Sequence, residues 1–212
     1  MAIDDLLDEH EQGERVRNWL KNNGAGLLAG IALGLALIFG WKWWTQHQQQ
    51  QAQAGYQAYA AALKVIGGSD LKAAQEKVAE LRKQGDSVYA QLAVLQLAAA
   101  QVKARQTEAA LATLRSMPAA TPMKPYADLH AARLLNDAGK PEEAIKLLSG
   151  QEGASALEVR GDALVLAGRL DQAREAYLKA LTGLDVASPQ RSLVEVKLTH
   201  AGGTPPGSAE SI

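Results

Sequence analysis

The 212-residue chain has no cysteine, one phenylalanine and seven prolines. Without cysteine there is no disulfide framework and no thiolate metal site, which suits an oxidising compartment without demanding one. Aromatic residues make up 5% of the sequence, and valine and isoleucine are sparse after residue 45. Alanine carries much of the apolar content instead, a balance that favours close-packed helices over sheets. Neither sign of charge dominates: 22 basic residues face 23 acidic ones, for a net charge of −1. That leaves no electrostatic footprint for nucleic acid.

Catalytic patterns are missing too. His10, Glu11 and Glu14 lie in a stretch that resembles a zinc-protease helix, but the second histidine is lacking and the ligands cannot converge. His47, His130 and His200 are scattered, with no acidic companions at ligand spacing. Gly24-Ala25-Gly26 lies inside an apolar run, so it is no phosphate loop. Glu142-Glu143 opens a helix, where the macrodipole favours carboxylates. The sequence therefore predicts no catalytic residue, no metal, no cofactor and no enzyme.

One long hydrophobic run is present. Gly24 to Trp41 is uncharged and almost wholly apolar. As a helix its 18 positions span about 27 Å, close to the ~30 Å hydrocarbon core of a bilayer. Trp43 and Trp44 extend it to the far interface, and Lys42 can snorkel to the headgroups. The run is too long for a signal peptide, and the nearest A-x-A pattern, Ala52-Gln53-Ala54, lies beyond a glutamine tract. Arg15, Arg17 and Lys21 precede the run, whereas Lys42 alone follows it before Lys64. Basic residues stay on the cytoplasmic side, so residues 45–212 are expected outside and the N-terminus inside. The expected domains are a cytoplasmic segment 1–23, a transmembrane helix 24–44, an exported repeat domain 45–201 and a disordered tail 202–212. Ile3, Leu6 and Leu7 are spaced for one helix face in the N-terminal segment, either a site for a cytosolic regulator or part of a solvated tail. Gly26, Gly30 and Gly34 share a face of the membrane helix, where the lack of Cβ atoms lets a second helix approach, including one from a homodimer.

The remainder repeats itself. The clearest unit is 154–187: Gly161 and Leu164 on a first helix, Gly168 at the turn, and Ala173, Tyr177 and Ala180 on a second. Ala132, Leu135, Gly139, Ala144 and Leu148 form a second unit, and Ala98, Gln101, Arg105, Ala110 and Leu114 a third. Ala110 to Ala144 is 34 residues, the tetratricopeptide period, while Ala144 to Ala173 is 29. Leu71, Ala74, Val78 and Leu81 suggest a degenerate earlier unit. The fold class is therefore all-α: one transmembrane helix and then a tetratricopeptide-like repeat, with an irregular alanine-rich bundle as the alternative. Helix pairs are expected near 55–84, 86–116, 123–149 and 154–182, with a proline-rich loop over 117–125. Residues 189–200 read either as a closing helix begun by Ser188-Pro189 or, from the alternation of Val194, Val196 and Leu198, as a strand.

In such repeats the first helices line a concave surface. Mapping the units places Leu92, Leu95, Ala99 and Val102 there, followed by Tyr126, Leu129, Arg133 and Asn136. The last unit adds Glu158, Asp162 and Val165. A mixed groove of this kind suits a segment of another protein, unless the chain's own next helix or C-terminus fills it. The Lys and Asn set that grips C-terminal carboxylates in some tetratricopeptide domains is absent, with Leu95, Leu129 and Glu158 at the basic position.

The order of these features resembles one family. An acidic stretch precedes Arg15-Val16-Arg17-Asn18-Trp19-Leu20-Lys21-Asn22-Asn23-Gly24, then come a glycine-rich span, Trp41-Lys42-Trp43-Trp44, and degenerate repeats. This is similar to the YfgM family, ancillary subunits of the bacterial Sec translocon. The resemblance implies an inner-membrane protein with a periplasmic repeat domain. It also implies, as partners, the Sec channel subunits, exported polypeptides and a membrane-anchored periplasmic chaperone of the prolyl-isomerase class. The role implied is chaperone-like, helping exported chains pass from channel to chaperone. An anchored scaffold for envelope or cytochrome assembly is the alternative.

Overall fold

The computed structural model describes residues 2–68 and 70–206, with side chains described from Gly13 onward. Residues 207–212 of the expected tail, and the side chains of Ile3, Leu6, Leu7, His10 and Glu11, fall outside the described residues. The described residues form nine helices and no strand. Two units result, residues 1–54 and 55–212.

In the first unit the described residues lie on one helix, α1 (Ala2–Ile66), whose last residues belong to the second unit. From Gly13 on, α1 is long and apolar enough to cross a membrane. Its apolar side chains, Leu28, Ile31, Leu35, Ile38 and Phe39 among them, are exposed rather than buried in a protein core. No atom lies within 4 Å of where a Cβ would stand on Gly26, Gly30 or Gly34.

In the second unit the end of α1 is followed by α2 (Leu71–Lys83), α3 (Val88–Lys103), α4 (Thr107–Arg115) and α5 (Lys124–Asp137). Then come α6 (Pro141–Leu147), α7 (Ala154–Leu166), α8 (Leu170–Thr182) and α9 (Pro189–His200). From α2 onward each helix packs on the next, and α5 also reaches α7. The helix pairs fall where the repeats put them. Lys124 and Pro125 depart from the expected loop: they open α5, where the missing N–H of Pro125 in the first turn costs nothing.

The core is mostly alanine and leucine. Ala74, Ala93, Ala110, Ala132, Ala144 and Ala173 are all fully buried. Such small residues let helix axes approach closely, and one residue goes further. A Cβ on Gly161 would stand 2.4 Å from Cε1 of the buried Tyr177, so the ring lies directly on the α7 backbone.

The first helices α3, α5 and α7 end in the same way. Arg105, Gly139 and Gly168 have φ of 60°, 69° and 73°, and each begins a Schellman cap. In the α7 cap Arg169 N–H donates to Leu164 O at 2.8 Å and Gly168 N–H to Val165 O at 3.0 Å. α9 closes identically: Gly202 (φ 80°) donates to Thr199 O, and Gly203 N–H to Leu198 O. The four left-handed residues are thus 34, 29 and 34 positions apart. α9 thus ends like the first helix of a further unit, and the strand reading of 189–200 is replaced by a helix. Ser188 takes the cap position with extended backbone, but its hydroxyl makes no cap hydrogen bond; Pro189 supplies the first turn.

Candidate interaction groove

Counting back from each left-handed residue aligns the first helices. Six positions before it stand Ala99 on α3, Arg133 on α5, Asp162 on α7 and Val196 on α9. Three positions before it stand Val102, Asn136, Val165 and Thr199. Two cavities open along these rows. One, of about 350 Å³, is walled by Leu95, Ala98, Ala99, Val102, Leu114, His130, Arg133 and Leu134. The other, of about 510 Å³, has Asn136, Val165, Leu166, Val196 and His200 among its walls. Arg133 lines both and is the point where they adjoin.

Of the residues expected to form a groove, Leu95, Ala99, Val102, Arg133, Asn136, Asp162 and Val165 line these cavities. Leu92 is half-buried on α3, Leu129 packs against the core, and Tyr126 is exposed near the start of α5; none of the three is among the cavity walls. Glu158 is only 5% exposed. Its carboxylate accepts from Lys197 Nζ at 2.7 Å and from Gln190 Nε2 at 2.7 Å, both on α9. The chain's own α9 thus covers the groove at that point.

Asp162 is engaged as well. It accepts from Lys197 Nζ at 2.7 Å and from the Tyr177 hydroxyl at 2.8 Å. Burial pushes the Tyr177 hydroxyl well above the ordinary tyrosine range, and the hydrogen bond to Asp162 adds to it. Burial works against the charge on Lys197, yet Asp162 and Glu158 together hold its pKa above the ordinary lysine value. One lysine between two carboxylates therefore pins α9 to α7.

Arg133 contrasts with this cluster: it makes no hydrogen bond or ion pair with any described residue. His130, one turn earlier, has its pKa lowered by burial and then by Arg133, so its ring is neutral at neutral pH. Asn136 donates from Nδ2 to Val159 O at 3.2 Å, which fastens α5 to α7. Its Oδ1 is buried without a hydrogen-bond partner.

Sequence reasoning left open that the chain's own next helix or C-terminus fills the groove, but it did not name the α9 residues that do so. The signal was present in Gly202, 34 residues after Gly168, which sets Val196, Lys197 and His200 level with the groove residues of α7. It also missed His130 and Leu134, which close the apolar cavity from α5.

Residues 17–203 match the family of tetratricopeptide repeat-like domains. The chain is 30% identical over 202 residues to the ancillary SecYEG translocon subunit of Escherichia coli, covering 91% of this chain and 96% of that protein. Over 52 residues it is 35% identical to the ancillary SecYEG translocon subunit of Haemophilus influenzae, a match covering 24% of this chain and 26% of that one.

Proposed function

The chain belongs to the YfgM family of ancillary SecYEG translocon subunits, built on a tetratricopeptide repeat-like domain, and from that premise we propose that it is a membrane-anchored adaptor at the Sec translocon. The observation that carries the proposal is identity along almost the whole chain, anchor and repeats together, with a relative of that name. α1 is the anchor, crossing the inner membrane once over residues 24–44. The basic residues Arg15, Arg17 and Lys21 keep the N-terminus in the cytoplasm, which puts the repeat domain in the periplasm.

The mechanism proposed is binding without chemistry. Helix pairs bury their alanine faces on each other and leave the first-helix face as a groove. A polypeptide leaving the channel is extended and still has apolar side chains in water. Seating them in the apolar cavity removes that surface from solvent, at about 25 cal/mol per Å² of apolar area. Such contacts are individually weak, so the chain is held and then released. A second partner, a membrane-anchored periplasmic chaperone of the prolyl-isomerase class, receives it. The glycine face of α1 supplies the contact within the membrane, with a channel helix or a second copy.

A photo-crosslinking residue at Ala99, in membranes that are translocating protein, tests this reading. Crosslinks to channel subunits, to exported chains or to the chaperone are expected. Persistent absence of all three, with the protein inserted at its normal level, rejects it.

A further inference from the structure

The point where the two cavities meet carries a charge that the fold does not use. Lys197 is committed to Glu158 and Asp162, and Asp162 is further committed to Tyr177. Asp137, one turn beyond Arg133 on α5, lines the larger cavity but forms no ion pair with it. The neutral ring of His130 brings no second positive charge to the apolar cavity. What remains is one guanidinium without a counter-ion, at the rim of a cavity walled by Leu95, Val102, Leu114 and Leu134. At about 350 Å³ that cavity admits a large aliphatic or aromatic side chain. A guanidinium fork matches a carboxylate in a bidentate pair, and it does so best where apolar walls thin the water.

We propose that this rim selects extended polypeptide segments carrying an acidic residue two positions from a large apolar one: the apolar side chain fills the cavity and the carboxylate pairs with Arg133. Residues two apart in an extended chain point to the same side, about 6.6 Å apart, so one segment makes both contacts. The charge complementarity decides for an acidic occupant over a neutral or basic one. The inference rests on the groove reading above and narrows it from any unfolded chain to one class of segment.

The test uses the full chain in detergent micelles and a fluorescein-labelled octapeptide of glycine and serine bearing one leucine and, two positions later, one glutamate. Fluorescence anisotropy gives the affinity. Changing the glutamate to glutamine is expected to weaken binding about 5- to 10-fold, and Arg133→Gln to do the same, with no further loss when the two are combined. Arg133 is exposed, so the variant keeps the fold. Changing the leucine to serine is expected to cost about 10-fold or more. Equal binding of the glutamate and glutamine peptides overturns the proposal, and so does no peptide binding at all. A chain ending at Pro206 that binds the peptide tenfold more tightly also overturns it, because the groove's occupant is then the chain's own last residues. None of these results touches the adaptor reading, whose crosslinks from Ala99 are made in membranes without the peptide.

Discussion

Gly161→Ala reverses an ordinary expectation. In a helix interior, replacing glycine by alanine stabilises by about 1 kcal/mol. Here the new methyl would stand 2.4, 2.7 and 2.9 Å from three ring atoms of Tyr177. The ring cannot yield freely: Tyr177 is 2% exposed and its hydroxyl is hydrogen-bonded to Asp162. Overpacking of this severity costs about 3 kcal/mol. After the helical gain, a net loss of about 2 kcal/mol remains, which for a domain of this size lowers the melting temperature by about 4–8 °C. Thermal melting of the full chain in detergent, followed by circular dichroism, measures it. In the double variant Gly161→Ala/Tyr177→Leu the methyl has room, and the combined loss should fall short of the sum of the single losses by at least about 1 kcal/mol. A Gly161→Ala chain that melts at or above the parent temperature would refute the claim that these helices touch through the glycine.

The left-handed residues predict opposite effects at equivalent positions. Arg105→Gly should raise the urea midpoint by a stabilisation of about 0.5–1 kcal/mol, because a Cβ residue at φ 60° is strained, whereas Gly139→Ala and Gly168→Ala should each lose about 1 kcal/mol. Lys197→Ala leaves Glu158 buried without its cation and should cost about 3 kcal/mol in denaturant titration, while adding Glu158→Gln should recover a large part of that. The alkaline limb of stability follows from the raised values of Tyr177 and Lys197. Both keep their protons in the folded state at pH where the unfolded chain loses them, so their contribution is complete below about pH 10 and is lost as pH rises beyond it. Tyr177→Phe should flatten that decline in a pH series of melts, and an unchanged slope would argue against the buried hydroxyl as its source.

Much of the fold was legible because the repeats are built from local signals. Gly139 and Gly168 mark first-helix ends, Pro141 opens α6, and the alanines at 110, 144 and 173 mark the crossings. Each of these works within one or two turns of chain, which is the range that periodicity reads. Gly161 and Tyr177 were legible as residues of the two facing helices of one unit, but their direct contact was not. α9 was half-legible: Pro189 and Gly202 bound it, but the alternation of Val194, Val196 and Leu198 spoke for a strand. Packing decided, since Val194 and Leu198, four apart, are both fully buried and Val196 is 67% exposed.

The groove was legible as a row of positions and no further. Which of them remain open depends on side chains distant in sequence. Glu158 looks available on α7 until Lys197, 39 residues later, covers it. Tyr126 holds the same helical position as Leu92 yet stands in solvent. Arg133 is set apart from the other arginines of the repeat domain by its place between the two cavities together with the lack of an ion pair, a property of the assembled helices and of no spacing. The contacts of the buried polar residues Gln91 and Gln101 were equally hidden. Gln91 accepts from Met123 N–H and donates to Asp86 O, and Gln101 accepts from Thr113, contacts that join loops and helices across the repeat.

The proposed role depends above all on which side of the membrane the repeat domain occupies. The absence of cysteine makes that question directly measurable, because a single introduced cysteine is the only thiol in the chain. Val186, 84% exposed between α8 and α9, is the site of choice. In spheroplasts expressing Val186→Cys, a membrane-impermeant maleimide should label the protein fully without lysis. Labelling that occurs only after the cells are broken would contradict the account.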